Sequence, residues 1–364
     1  MNTKSLNAKS VSAKSMIGGR EGLTLALAAG RALRTRLVFG GAFSGGLLAL
    51  AGVAVGQVQG VAGEQVAAGQ ARFVRFGNNV TITAANNTII NYNSFNIRPG
   101  ESVNFVQPDA LARVLNRINS SSPTQIDGSR SANGRVYIVN PAGVYFGPGA
   151  VVNSGSIFAA AGNISNADFL RNINRFTDVK GKVVNEGTIT TAPGGVAALV
   201  GSAAMNFGTI SAPQGTIIMA SGQSVLIGEE GGHVYAQVDT AKATGVGPEG
   251  GEGTAATQKA RFGAGDTFAV AVFNKGVAKA KRVQMETSRG VTVASGTIDV
   301  SDTSAGGKGG SVEILGDRVA LVNATIDASG DAKGGQVLIG GDLQGKGTQR
   351  NAALAQGNTS SLLV

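Results

Sequence analysis

The chain has 364 residues, with 31 Lys and Arg against 22 Asp and Glu, 56 Gly, and neither Cys nor Trp. The missing Cys excludes disulfide scaffolds, zinc knuckles and thiol catalysis, and charged residues at 15% are too few for long helices with charged outer faces. At 42% hydrophobic the chain is too apolar to be disordered throughout, so short Gly-punctuated strands are the default expectation.

The net charge of +9 lies mostly at the front. Lys4, Lys9, Lys14, Arg20, Arg31, Arg34 and Arg36 face Glu21 alone, and the remainder of the chain is nearly balanced. No nucleic-acid partner is therefore expected from charge. Residues 37–56 are uncharged and end in Ala54-Val55-Gly56, the order of an extended secretory signal with a small-residue cleavage site, so 1–56 is expected to be a signal peptide. The alternative for 37–55 is a retained membrane anchor.

From Phe73 onward, runs of Val, Ile and Phe alternate with Gly, Asn and Ser. The less regular residues 57–104 are expected to cap a solenoid. Residues 108–119 place Leu111, Val114, Leu115 and Ile118 at helical spacing after Asp109, which predicts a short side helix. A second helix is predicted over 165–176, where Ser165 and Asp168 form a capping box and Phe169, Ile173 and Phe176 share a face.

One phrase recurs through this region. Asn-x-Gly-x-Ile stands at Asn153, Asn185 and Asn206, weakly at Asn274, and in reduced form before Ile298 and Ile326. Asn and Gly tolerate left-handed turns, so each phrase reads as one corner of a coil. Ile189 to Ile210 is 21 residues and Ala278 to Ile298 is 20; excising 165–176 leaves 20 between Ile157 and Ile189, and excising 240–265 leaves two turns of 21 between Ile210 and Ala278. A period near 20 with this composition predicts an all-β parallel β-helix, with Val and Ile columns inside and Asn ladders at the corners. Residues 57–239 form its first part, 240–265 a protruding Gly-rich flexible loop, 266–341 further repeats and 342–364 an irregular tail.

Three ordered motifs resemble the filamentous haemagglutinin secretion domain, the exported partner of two-partner secretion. They are Asn91-Tyr92-Asn93-Ser94-Phe95-Asn96, then Ser122-Pro123-Thr124-Gln125-Ile126-Asp127-Gly128, then the stretch containing Asn140-Pro141-Ala142-Gly143-Val144. Ala142 replaces an Asn of the family pattern, and Gln107-Pro108-Asp109 stands where an earlier Asn-Pro-Asn-Leu would be. Further on, 194–201, 326–330 and 334–341 are similar to haemagglutinin-like repeats. The resemblance implies a right-handed coil, export through the periplasm, recognition by an outer-membrane barrel transporter with periplasmic domains, and surface display or release with a role in adhesion. It implies Asn91, Phe95, Asn96, Asn140, Pro141 and Gly143 as transporter-recognition residues, a monomer, and a host or neighbouring-cell surface receptor as a further partner.

No catalytic, cofactor or metal site is expected. His233 is the only histidine, so a triad or multi-histidine site cannot form within the chain, and it is expected in a turn after Gly231-Gly232. The Gly-rich stretch 245–250 matches a dinucleotide fingerprint literally, but no amphipathic helix follows. The alternative function is a β-helix carbohydrate-active enzyme such as a polysaccharide lyase or hydrolase, for which Asp299 and Asp327 are the best-placed carboxylates, and as a stacked pair these two could hold Ca²⁺ through oxygen ligands.

Overall fold

The computed structural model describes residues 60–230, 233–238, 270–340 and 360–363. The expectations for 1–56, the 240–265 loop, the 245–250 fingerprint and most of 342–364 lie outside the described residues. Among those described, the chain is all-β apart from one five-residue helix, Asn166–Leu170, and no helix is long and apolar enough to cross a membrane.

Short strands follow one another around a coil with three faces, each strand paired in parallel with its equivalent one turn on. On the first face Asn79–Ala84 pairs with Ser102–Val106, and that with Ser129–Ala132. The second face carries Thr88–Tyr92, Arg113–Ile118, Arg135–Val139, Ser156–Ala160 and Val196–Gly201. The third carries Thr124–Ile126, Gly143–Phe146, Lys182–Asn185, Ala203–Asn206 and Val270–Asn274. Later strands bend round corners: Thr209–Ser221 serves the first and second faces, and Val277–Ala294 all three.

Strand side chains alternate between sides, and the first-face registers align one inward residue per turn. The column runs Val80, Val103, Arg130, Val152, Ile189, Ile210, Ala278, Ile298 and Ile326, one residue from each of nine turns. Ile189 and Ile210 are paired and fully buried, as expected for stacked turns.

The corner from the third face to the first explains the recurring phrase. Asn185 Nδ2 donates to Asn206 Oδ1 at 2.8 Å and Asn206 Nδ2 to Asn274 Oδ1 at 2.9 Å, all three side chains being fully buried. The glycines have a different reason from the expected one, since Gly208, Gly276 and Gly296 do not have positive φ. A Cβ on each would collide with the carbonyl oxygen of the equivalent glycine one turn before, so the requirement is close approach of stacked backbones rather than a left-handed turn.

Several expectations need correction. Asn153 sits at a different corner, between first and second faces: Ile157 pairs with Ala197, while the partner of Ile189 is Val152. Ile210 pairs directly with Ala278, so the 68 residues between them are one turn with an insertion rather than two turns. Residues 108–119 are not a helix. Asp109 Oδ1 does accept from Leu111 and Ala112 N–H, but it caps a turn, after which Arg113–Ile118 is a second-face strand. Both sides of that strand are buried, which mimics helical spacing in the sequence. The antiparallel strands Gln65–Ala68 and Ala71–Phe76 pair with the first-turn strands, and the parallel coil already starts at Asn79, well before residue 104. In the tail, Ser360–Leu363 is a strand paired with 318–321, and His233 opens the strand His233–Val238 opposite Glu230.

The predicted second helix forms, but only over Asn166–Leu170, with Ser165 Oγ accepting from Asp168 N–H at 3.0 Å. It belongs to an insertion between the second and third faces. Asn174–Phe176, from the same insertion, joins Val225–Glu230 and His233–Val238 in a three-stranded antiparallel sheet. Together they cover the outer side of the second face and bury Leu115, Tyr137, Phe158 and Ile218 against Phe169 and Val225. The second face is therefore apolar on both sides, and the first only inside.

Candidate functional site

The six residues singled out in the sequence lie at the corner between second and third faces, in the first and third turns. Phe95 is fully buried, its ring edge-on to Tyr92 at 5.1 Å and stacked on Phe105 at 6.3 Å. Asn96, half-buried, accepts through Oδ1 from Gln125 N–H at 2.8 Å. Asn140 is fully buried and its amide is fully engaged: Nδ2 donates to Ser122 O and Thr124 Oγ1, both at 3.0 Å, and Oδ1 accepts from Ala142 N–H at 3.0 Å. Asn96 and Asn140 thus hold the intervening turn, 122–125, from opposite sides.

Asn140 also closes its own turn, since Gly143 N–H donates to Asn140 O at 2.9 Å. Gly143 has φ of 129°, a conformation that disfavours any side chain, and a Cβ there would lie 3.0 Å from Lys182 O. Pro141 and Ala142 are left half-exposed at the tip of this turn. What the corner presents is backbone shape with few charges.

Asn91 points to neighbours that sequence reasoning missed. Its Oδ1 accepts from Arg117 Nη1 at 3.2 Å, and Arg117 Nη2 donates to Ile164 O at 2.7 Å and Asn166 Oδ1 at 2.8 Å. Arg113 makes the parallel set with Asn87 Oδ1, Phe169 O and Asn172 Oδ1, its guanidinium 5.1 Å from the Phe169 ring centre. Two arginines therefore clamp the insertion to the first turn through uncharged acceptors, and burial pushes the pKa of Arg117 below its ordinary value. Reading 113–118 as a strand would have placed both on one side. Beside them Tyr137 donates to Asn174 Oδ1 at 2.9 Å, and burial raises its hydroxyl to about 12.

A two-partner secretion (TPS) secretion domain model matches residues 51–314, most of the chain. The chain belongs to this family. The secretion domain superposes on that of HMW1 from Haemophilus influenzae with a TM-score of 0.60 at 26% identity, over 84% of this chain and 82% of the other. The filamentous hemagglutinin secretion domain gives a TM-score of 0.45 at 14% identity, over 77% of this chain and 100% of the other. Two curated relatives are heme/hemopexin-binding proteins of Haemophilus influenzae, 36% identical over 35% of this chain and 34% over 24%. The matches span only 15% and 10% of those relatives' lengths. Secretion domains of this kind belong to exported proteins whose partner is an outer-membrane transporter, and the family is not an enzyme family.

Elsewhere on the first face, Lys279 and the two carboxylates considered for a cation, Asp299 and Asp327, form a column on successive strands. Lys279 Nζ lies 2.8 Å from Asp299 Oδ2. Burial raises the Asp299 carboxyl, but Lys279 and Ser301 outweigh it and hold it below the usual range. Lys279, one turn before, already pairs with Asp299 on the side away from Asp327, and among the described residues no cluster of three or more metal-ligating side chains occurs.

Proposed function

We propose that this chain is the exported partner of a two-partner secretion system and that the corner at 91–96 and 140–143 is read by the periplasmic domains of its barrel transporter. In this reading the segment 1–56 is removed on export, and the remainder crosses the outer membrane and winds up at the cell surface as a right-handed β-helix. The right-handed sense is the one that parallel strand crossovers take. The haemagglutinin-like later turns then serve in adhesion to a host or neighbouring-cell receptor.

The observation that carries the recognition proposal is the linkage of Asn96, the 122–125 turn and Asn140 into one stacked corner. Buried Asn140 and Phe95 and constrained Gly143 give that corner its shape, while Asn91, Asn96 and Pro141 form its partly exposed surface. A uniquely shaped corner with few charges suits recognition through backbone and amide groups.

The test is to change the surface and the frame separately. Pro141→Ser with Ala142→Gln should weaken binding of the purified chain to the transporter's periplasmic domains by at least tenfold, with an unchanged circular dichroism spectrum. Asn140→Leu with Gly143→Val should disturb folding as well. Wild-type binding and secretion by the first pair would remove the corner from the recognition site.

A further inference from the structure

Where the first face turns into the second, a groove of about 930 Å³ runs along the coil from Arg135 in the third turn to Gln336 in the ninth. At roughly 4.8 Å per turn that is about 29 Å of continuous trough. Its floor includes the glycine pairs at 309–310 and 334–335, so backbone rather than side chains forms the base. Asn172, Asn174 and Gly228 of the covering layer form part of the opposite wall.

The groove is basic. Arg135, Lys281, Arg282, Lys308 and Lys333 line it, and no carboxylate is among the described residues that do. Lys281 is held by Asp302 at 3.4 Å and by the Lys308 carbonyl, and Arg282 Nε donates to Ser311 Oγ. Lys308 and Lys333 are different: they face each other in a parallel bridge on adjacent turns, and both are exposed. Two ammonium groups leaving neighbouring strands about 4.8 Å apart repel one another, a cost that an anion lying across both removes.

The remaining chemistry selects the kind of anion. Asn172 and Asn174 accept hydrogen bonds through their carbonyl oxygens, from Arg113 and Tyr137, which leaves their NH2 groups as donors at the Arg135 end of the groove. Lys281, Lys308 and Lys333 at one-turn spacing over a glycine floor, with amide donors further along the same trough, fit a chain of pyranose rings carrying one carboxylate per ring, the hydroxyls meeting the amides. An extended acidic peptide repeats its same-side carboxylates at about 7 Å, out of step with the turns. We propose that this groove binds a linear carboxylated polysaccharide, an activity independent of transporter recognition at the other corner.

Affinity electrophoresis of the purified chain through gels containing polygalacturonate, with neutral dextran as reference, tests this. We expect saturable retardation by polygalacturonate alone, weakened at least tenfold in Lys308→Gln/Lys333→Gln with an unchanged circular dichroism spectrum and melting temperature. Lys275→Gln, an exposed charge at another corner, should bind as wild type. Three results would overturn the proposal: undiminished retardation of the double variant, equal weakening by Lys275→Gln, or binding of poly-L-glutamate or duplex DNA as tight as that of polygalacturonate.

Discussion

The first and second faces share one backbone plan and differ in what lies outside them. Thr188–Thr191 alternates buried Ile189 and Thr191 with the more open Thr188 and Thr190, whereas Val196–Gly201, the next strand of the same turn, is buried at every residue. The difference comes from the insertions between second and third faces, which fold back over the second face only. In a coil of this kind the side of a strand is defined by what the corner emits, and strand propensity does not reveal it. The sharpest way to break the comparison is one substitution at equivalent outward positions. Ala198→Asp would place an unpaired carboxylate beneath the covering layer and should destabilise by at least about 3 kcal/mol, while Thr190→Asp on the first face should change stability by no more than about 0.5 kcal/mol. Urea unfolding of both variants decides this; equal effects would mean that the covering layer is not docked in solution.

The same contrast explains what was legible in the sequence. The first-face columns were, because Ile189, Ile210, Ala278, Ile298 and Ile326 carry a one-sided pattern and a fixed corner phrase. Asn153 misled because close backbone approach recurs at a second corner, where a Cβ on Gly155 would meet Gly134 O. The second-face strand Arg113–Ile118 was mistaken for a helix because Leu115 is buried outside the coil and Val114 and Ile118 inside it. The insertion lengths were likewise hidden, since nothing local in 210–278 distinguishes one turn with a hairpin from two plain turns. At the corner of 91–96 and 140–143 the motifs named Asn96 and Asn140, but the arginine clamps depend on contacts some 50 residues apart, to 164–172.

The inner side of the first face offers a second test, because its column includes a charge. Arg130 stands between Val103 and Val152, is 1% exposed, and among the described residues has no hydrogen-bond acceptor for its guanidinium, which sits 5.7 Å from the Phe105 ring centre. Burial pushes its pKa down to about 9. Replacing a buried ion by an apolar side chain of similar length commonly stabilises, so Arg130→Met should raise the unfolding free energy by about 1–4 kcal/mol and increase the melting temperature. A loss of stability instead would show that the cation–π contact outweighs desolvation, and that the first-face column does not depend on apolar filling alone.

The smallest effect is a pH dependence confined to the covered face. Glu286 lies on the second-face part of Val277–Ala294, next to Gln284, whose amide both donates to and accepts from the backbone of Ala236 in the covering sheet. Gln284 also donates to Glu286 Oε2 at 2.8 Å. Burial, reinforced by Glu313 and opposed by the Gln284 hydrogen bond, raises the Glu286 carboxyl to about 7. A carboxyl raised above its unfolded value binds its proton more tightly in the folded state, so its contribution is fully present at low pH and is lost as pH rises from about 4.5 through 7. Glu286 keeps part of its surface open, which reduces the effect to about 1–2 kcal/mol. Unfolding free energy should fall by that amount between pH 5 and pH 8 in the wild type, and the slope should flatten in Glu286→Gln. Hydrogen exchange would locate the loss: amides of the Val225–Glu230 and His233–Val238 hairpin should lose protection on ionisation, while those of the 188–191 strand should not. A uniform change across both faces would detach the pH effect from the covering layer and leave the two faces thermodynamically alike.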